Sequence, residues 1–228
     1  MPPKDKRNAK KSISKDKKQD ARIKTLEKFV YKTIENKQVN SNNTNLAVSS
    51  AGVRDGQFLS VSQGTSDGVA SGDPARIGNT ITLMNQRFNF TFNQNPTGII
   101  DDWNRCRVMI VEALDGNQAI LLGDVLQYSN YSIYGNLVFS SPLTTKTTTN
   151  RRYRVCMDKT FELNYRGGNA TKVIKHVEKW KGGKLVEFDG DTSATPTNHQ
   201  MSIFFISDSA SVPHPAVSYA VRSTYKDA

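Results

Sequence analysis

Lysine and arginine are frequent in the first eighteen residues, and their side chains could neutralise a phosphate backbone. Eight of the first eighteen residues are basic, two are acidic, and almost none is apolar. Such a segment cannot bury enough apolar surface to offset its chain entropy, so we expect residues 1–19 to form a disordered arm. The arm predicts a polyanionic partner, most simply nucleic acid. The predicted binding residues, all basic, are Lys4, Lys6, Arg7, Lys10, Lys11, Lys15, Lys17, Lys18, Arg22, Lys24, Lys28 and Lys32.

The net positive charge is unevenly distributed along the chain. Through Lys37 there are thirteen basic and five acidic residues, whereas the remainder has eighteen basic and sixteen acidic residues. A basic arm on a balanced body is typical of nucleic-acid binding, although a solubilising or targeting tail has the same composition. The stretch KDKRNAKKSISKDKK also resembles a nuclear-import signal, which is compatible with nucleic-acid binding.

An amphipathic helix is predicted directly after the arm, over residues 20–37. Asp20 can cap its N-terminus. The apolar residues, spaced three or four apart on one stripe, are Ile23, Leu26, Val30 and Ile34, and a second stripe carries Lys24, Lys28 and Lys32. One face could therefore dock on protein while the other meets phosphate. The alternative is a plain amphipathic helix packed on its own domain.

Side chains that could catalyse a reaction are few and scattered. The three histidines, His176, His199 and His214, lie far apart, and the chain has no phosphate-binding loop, nucleophile elbow or zinc-protease motif. We therefore expect no enzyme activity. Cys106 and Cys156 form no C-x-x-C pair, and without a secretory signal we expect both to be reduced. No stretch approaches the ~20 apolar residues of a membrane span.

Most of the remaining chain has the alternation of strands. The polar stretch from Gln38 to Ala75 indicates extended chain and loops, with one short strand at Gln57–Val61. Farther on, the apolar residues fall on odd positions to Leu83 and on even positions from Phe88, which indicates one long strand with a bulge or two separate strands.

More strands follow at 105–114, 132–139, 151–163, 172–180, 200–208 and 216–225, and residues 119–127 fit a short helix or a strand. Turn-forming residues separate them, including Gly182–Gly183. Many strands with a single long helix predict an all-β sandwich, which we place at residues 38–228.

Two further basic patches lie within the predicted strands. Arg152 and Arg154 share one strand face, and a second group surrounds His176 and Trp180. That group comprises Lys172, Lys175, Lys179, Lys181 and Lys184. These side chains could line a nucleic-acid surface, or they could be charged edges that discourage unwanted strand pairing. The sequence leaves both readings open.

Several short motifs together resemble capsid proteins of small icosahedral viruses. The segment VSQGTSDGVASGDPARIGNTITL is similar to the entry into the first jelly-roll strand of the satellite tobacco necrosis virus coat protein family, which has a Q-G turn and then S-G-D-x-x-R-I. The ending STYKDA resembles that family's terminus. NRRYRVCMDKTFEL resembles a strand in the related single jelly-roll capsids of circular single-stranded DNA viruses.

This resemblance implies a fold, an assembly and a partner. The fold would be a single jelly roll of two four-stranded sheets, preceded by the basic arm and the amphipathic helix. The assembly would be a homo-oligomer of about sixty copies in the simplest icosahedral shell. The arm would lie inside and neutralise a packaged single-stranded genome, either RNA or DNA, without reading its sequence. The protein would be found in the virion, and in the host nucleus before assembly, with no membrane partner.

The resemblance also implies calcium at subunit interfaces. The loop acids fit no twelve-residue calcium-binding loop. In the satellite-virus family, however, calcium bridges subunits through carbonyls of the S-G-D segment and a carboxylate near the C-terminus. The matching positions are Ser71, Pro74 and Asp227. A second family site needs an aspartate where this chain has Thr65, so that site is not expected.

Two other classes of protein fit parts of the pattern. One is a cellular nucleic-acid-binding β protein that works as a monomer, which particle size in solution would distinguish. The other is a lectin-like jelly roll with a targeting tail, for which glycan binding would survive removal of the arm.

Overall fold

The computed structural model describes residues 17–26, 36–56, 58–64, 75–94, 102–114, 120–126, 138, 153–190, 192–210 and 212–227. The chain divides into two compact units, Met1–Asn36 and Lys37–Ala228. No helix among the described residues is long and apolar enough to cross a membrane.

The described residues of the second unit form eight strands in two four-stranded antiparallel sheets. The strands are β1 (Lys37–Ala47), β2 (Val53–Gly56), β3 (Thr80–Asn93), β4 (Trp103–Ala113), β5 (Tyr153–Asn164), β6 (Thr171–Glu187), β7 (Met201–Ser207) and β8 (Ala216–Asp227). Their order is β1-β8-β3-β6 in one sheet, called here the first sheet, and β2-β7-β4-β5 in the second sheet. This order winds alternate strands between two sheets as a jelly roll does, and it confirms the predicted all-β fold.

The long strand β3 explains the change of apolar parity. Its register with both neighbours shifts between Leu83 and Asn85, and relative to β8 one extra residue lies at Met84. The bulge keeps Leu83 and Phe88 buried on the same side of the sheet, although one has an odd and the other an even number. The prediction of one bulged strand is confirmed, and that of two separate strands is wrong.

The main core lies between the two sheets and is rich in aromatic side chains. Phe90 and Phe92 of β3 contact Phe205 of β7 with ring centroids 5.8 and 5.9 Å apart, in edge-to-face geometry. Phe92 also meets Phe161 of β5 at 4.7 Å. Edge-to-face pairs add about 1 kcal/mol each beyond the burial of their apolar area. The inward alternation of β3 therefore joins the first sheet to the second.

Strand β6 crosses the glycine pair that the sequence predicts as a turn. Gly182 and Gly183 both have φ of +85°, a conformation that favours glycine. A Cβ on Gly183 would lie 2.3 Å from Cγ2 of Thr82 on β3. Because Leu83 pairs with Lys184 and Asn85 with Lys179, the extra residues of β6 form a bulge opposite that of β3. The turn prediction is wrong, and the glycines permit one 17-residue strand.

Two parts of the polar stretch after the predicted helix are paired strands, where the sequence predicts extended chain and loops. β1 begins at Lys37, where the sequence predicts the last helical residue, and β2 ends before the strand expected at Gln57–Val61. β1 lies at the edge of the first sheet, where its backbone pairs with β8 over most of its length. Backbone pairing stabilises an edge strand with few apolar residues, and so the apolar pattern alone did not reveal it.

In the first unit, residues 17–26 form helix α1. Residue 17 is already helical, so Asp20 lies inside the helix and not at its N-cap. Ile23 and Leu26 are 53% and 63% exposed. The rest of the predicted stripe, Val30 and Ile34, lies outside the described residues, as does the arm before residue 17.

The long connection between β4 and β5 covers part of the second sheet. Its short helix α2 (Leu122–Val125) decides the choice left open for residues 119–127 in favour of a helix. Val125 and Leu126 pack on Met109, Phe204 and Ile206, which point outward from the sheet. The strand predicted at 132–139 falls almost wholly outside the described residues.

Candidate nucleic-acid interface and ion site

Four of the twelve predicted nucleic-acid-binding residues lie in the described part of the chain, on α1. Lys17, Lys18, Arg22 and Lys24 are all exposed. Lys18 and Arg22 are four residues apart, and Lys17 and Lys24 seven apart, so each pair lies on one side of the helix. Exposed cations on a helix can approach phosphates without desolvating a core. The other eight predicted residues lie outside the described ranges.

Asp227, the predicted calcium ligand, is bound by groups of its own chain. The Lys37 ammonium donates to Asp227 Oδ2 and, at 2.8 Å, to the carbonyl of Ala75. The backbone N–H of Ile77 donates to Asp227 Oδ1 at 3.3 Å. Each carboxylate oxygen therefore already accepts a hydrogen bond, and the lysine supplies the positive charge. This arrangement does not fit a calcium ion unless Lys37 is displaced. Ser71 and Pro74 lie outside the described residues, so the three-ligand site stays a prediction.

The arginine next to this junction has a role that the sequence did not indicate. Arg76 is fully buried, and its guanidinium lies 4.4 Å from the ring centroid of Phe188. It donates to the carbonyls of Val61 at 3.3 Å, Gly190 at 2.7 Å and Ser193 at 2.8 Å. Further acceptors are the Gly78 carbonyl and the side chains of Gln63 and Asn79. One side chain thus fastens the segments after β2, before β3 and after β6.

A cluster of charged side chains lies between the sheets. Glu112 of β4 accepts from Arg154 at 2.6 Å and from Lys184 at 2.7 Å, and Arg154 also donates to Glu178 at 2.8 Å. Burial alone would raise the pKa of Glu112, but Lys184 and Arg154 outweigh it and lower the pKa. Burial lowers the pKa of the adjacent His199 to about 3, so this imidazole is neutral. Arg154 and Lys184 are thus partly exposed residues of edge strands that form ion pairs within the domain.

A serine and a histidine are in contact near the end of β7, but the serine is buried. His214 Nδ1 lies 3.0 Å from Ser209 Oγ, but Ser209 is fully buried, so a substrate cannot reach it. Burial, followed by the charge of Glu178, raises the pKa of the Cys156 thiol to about 12, which keeps it protonated. Both cysteines are free, as expected. Within the described ranges no three His, Cys, Asp or Glu side chains are grouped to hold a metal ion.

Comparison with known proteins gives similarity at the level of solved structures. No protein-family model matches the chain, and no curated protein matches it significantly. A structure of Desmodium yellow mottle tymovirus aligns with 84% of this chain and 86% of its own, at 9% identity and a TM-score of 0.38. A structure of Broad bean stain virus aligns with 81% and 84%, at 7% identity and a TM-score of 0.32.

These TM-scores and identities are too low to support a functional assignment. The jelly-roll assignment therefore rests on the strand order itself. The finer resemblance to the satellite tobacco necrosis virus family stays a prediction.

Proposed function

We propose that this protein is a viral capsid subunit that self-assembles into a small icosahedral shell around a single-stranded nucleic-acid genome. The observation that carries the proposal is the joining of an eight-stranded jelly roll to a strongly basic N-terminal segment in one chain. Jelly rolls of this kind build viral shells, and a basic arm neutralises packaged phosphates. About sixty copies would form the simplest closed shell.

A structural role, as opposed to an enzymatic one, accounts for the buried polar groups. The glutamate cluster at Glu112 is occupied by internal ion pairs, and Arg76 is occupied by loop carbonyls. Both sets hold the domain together through contacts within the chain. Such internal contacts would help to keep the subunit surface the same in every copy, as repeated subunit contacts in a shell require.

The arm is the part that the proposal assigns to the genome. Deleting residues 1–18 removes eight basic and two acidic residues and leaves every strand intact. We expect the deleted protein to fold, while its particles lose most of their packaged nucleic acid, because the neutralising charge is gone. The ratio of ultraviolet absorbance at the nucleic-acid band to that at the protein band measures this loss.

A matched variant separates charge from length. Replacing the same eight basic residues with glutamine keeps the arm's length and should cause the same loss. Particles with unchanged nucleic-acid content in both variants would contradict the role of the arm. A protein that stays monomeric would instead support a cellular nucleic-acid-binding protein, and glycan binding without the arm would support a lectin.

A further inference from the structure

The outward face of the first sheet carries a group of basic side chains around Arg87. Arg87 of β3 lies directly opposite Arg222 of β8 on one side and Val177 of β6 on the other. Lys175 and Lys179 flank Val177 on the same face of β6, so each is a diagonal neighbour of Arg87. Diagonal neighbours in a sheet are about 7–8 Å apart at Cα, within reach of long side chains. All four basic residues, which we call the Arg87 cluster, are exposed.

The residues that surround the Arg87 cluster are neutral. In the row through Asn89, the outward positions are Asn42, Ala220, Asn89 and Lys175, and in the row through Asn85 they are Gln38, Thr224, Asn85 and Lys179. The central row is Asn40, Arg222, Arg87 and Val177. These twelve positions, all within the described residues, contain no Asp or Glu. The recorded partner of Arg222 is the side-chain oxygen of Asn40, at 3.2 Å.

This arrangement has an electrostatic cost when nothing is bound. Like charges directly opposite one another on neighbouring strands destabilise a sheet, and Arg87 and Arg222 are such a pair. Lys175 and Lys179 add to the repulsion. An anion held between these side chains would reverse it. Amide and hydroxyl groups in the same rows would donate further hydrogen bonds to its oxygens.

Two arginines of the second sheet form ion pairs with carboxylates. Arg107 forms a two-point ion pair with Asp158, at 2.8 and 2.6 Å, and Arg105 pairs with Glu162 at 3.0 Å. Packing of residues 120–126 covers part of the outward side of that sheet. These two arginines of the second sheet are therefore each paired with a carboxylate, whereas the three rows around Arg87 contain no carboxylate.

We propose that the Arg87 cluster binds backbone phosphates of single-stranded nucleic acid, as a second binding surface independent of the N-terminal arm. The inference rests on the proposed packaging function and extends it from the arm to the folded domain. Charge complementarity favours a polyanion, and the absence of aromatic residues from the twelve positions favours contact with phosphates over stacking on bases. In the shell, this sheet face would line the interior.

The test uses the full-length chain and a fluorescent thymidine oligonucleotide of about thirty nucleotides. This length exceeds the roughly 4–16 nucleotides that a single-strand-binding domain typically covers. Each phosphate contact on a single strand contributes about 0.7 to the slope of log affinity against log salt, so removing two contacts should lower the slope by about 1.4. Arg87→Gln with Lys179→Gln should therefore lower it by that amount. Lys159→Gln with Arg166→Gln, which removes an exposed cation of β5 and the exposed arginine that pairs with Asp102, should leave it unchanged. Arg87→Lys should keep it, because the charge remains.

The outcomes distinguish a nucleic-acid-binding role of the Arg87 cluster from other roles of this sheet face. Equal slopes for wild type and the Arg87/Lys179 variant would overturn the inference, whereas loss of slope on neutralising the arm would leave the packaging function standing. Failure of the wild-type chain to bind the oligonucleotide would overturn both. If the Arg87/Lys179 variant fails to assemble but keeps its slope, the face is a subunit contact and the proposal is wrong.

Discussion

Arg76 offers the sharpest test of how the domain is held together. The change to alanine would remove the guanidinium from the carbonyls of Val61, Gly190 and Ser193 and from the ring of Phe188. These carbonyls belong to segments far apart in the chain, and the Arg76 side chain itself is fully buried. In Arg76→Ala, the three carbonyls lose the Nε and Nη2 donors of a single guanidinium.

The expected loss follows from the contacts. Each buried carbonyl left without a donor costs about 1 kcal/mol, and the cation–π contact with Phe188 contributes about another 1 kcal/mol. The exposed Gly78 carbonyl and the side-chain amides of Gln63 and Asn79 can find other partners, so their loss adds little. Arg76→Ala should therefore lower the free energy of unfolding by about 4 kcal/mol. Arg76→Lys keeps the charge but loses the planar fork, and should cost about 2 kcal/mol.

Urea unfolding of dissociated subunits in high salt measures this change without the contribution of assembly. Fluorescence of Trp180, whose ring contacts His199 at 5.5 Å, reports on the core. Lys159→Ala, at an exposed position of β5, is the control and should change stability by no more than about 0.5 kcal/mol. A loss below about 1 kcal/mol for Arg76→Ala would refute the reasoning, because it would mean that water satisfies the three carbonyls.

Two further predictions concern the other charged sites. Because Lys37 already neutralises Asp227, chelator should leave the melting temperature of wild-type particles unchanged. Lys37→Met should lower the melting temperature unless calcium is added. A wild-type melting temperature that falls with chelator would instead support calcium at Asp227. Since the pKa of Glu112 is lowered in the folded protein, its contribution to stability is present above the ordinary value of 4.5 and is lost as the pH falls through the folded value. Glu112→Gln should cost about 2 kcal/mol at neutral pH, after allowing for the partial exposure of Arg154, and should flatten the acid limb of the stability curve; an unchanged acid limb would contradict it.

The sequence predicted those parts of the fold that a buried face dictates. The bulge of β3 followed from the shift in parity between Leu83 and Phe88, because both must face the same core. β1 was missed because an edge strand needs backbone partners more than an apolar pattern, and those partners lie on β8, far away in the chain. Gly182 and Gly183 were read as a turn because their conformational freedom serves a bulge equally well.

The candidate sites were less predictable because their partners are distant in sequence or belong to the backbone. Lys37 and Asp227 are 190 residues apart, and only the antiparallel pairing of β1 with β8 brings their strands together. Arg76 belongs to the S-G-D-x-x-R-I motif, but the motif did not indicate its hydrogen bonds. Its acceptors are mostly backbone carbonyls, which a pattern of residue types does not reveal. The Arg87 cluster likewise depends on register, which joins residues from β3, β6 and β8.

Electron microscopy of the purified full-length protein, followed by nuclease treatment of the particles and extraction of their contents, tests the central proposal most directly. The capsid proposal predicts closed shells of uniform diameter that contain nuclease-protected, single-stranded nucleic acid. Digestion of the extracted material with RNase or DNase then identifies the genome. A protein that remains monomeric under conditions in which it binds nucleic acid, or shells that contain none, would contradict the proposal.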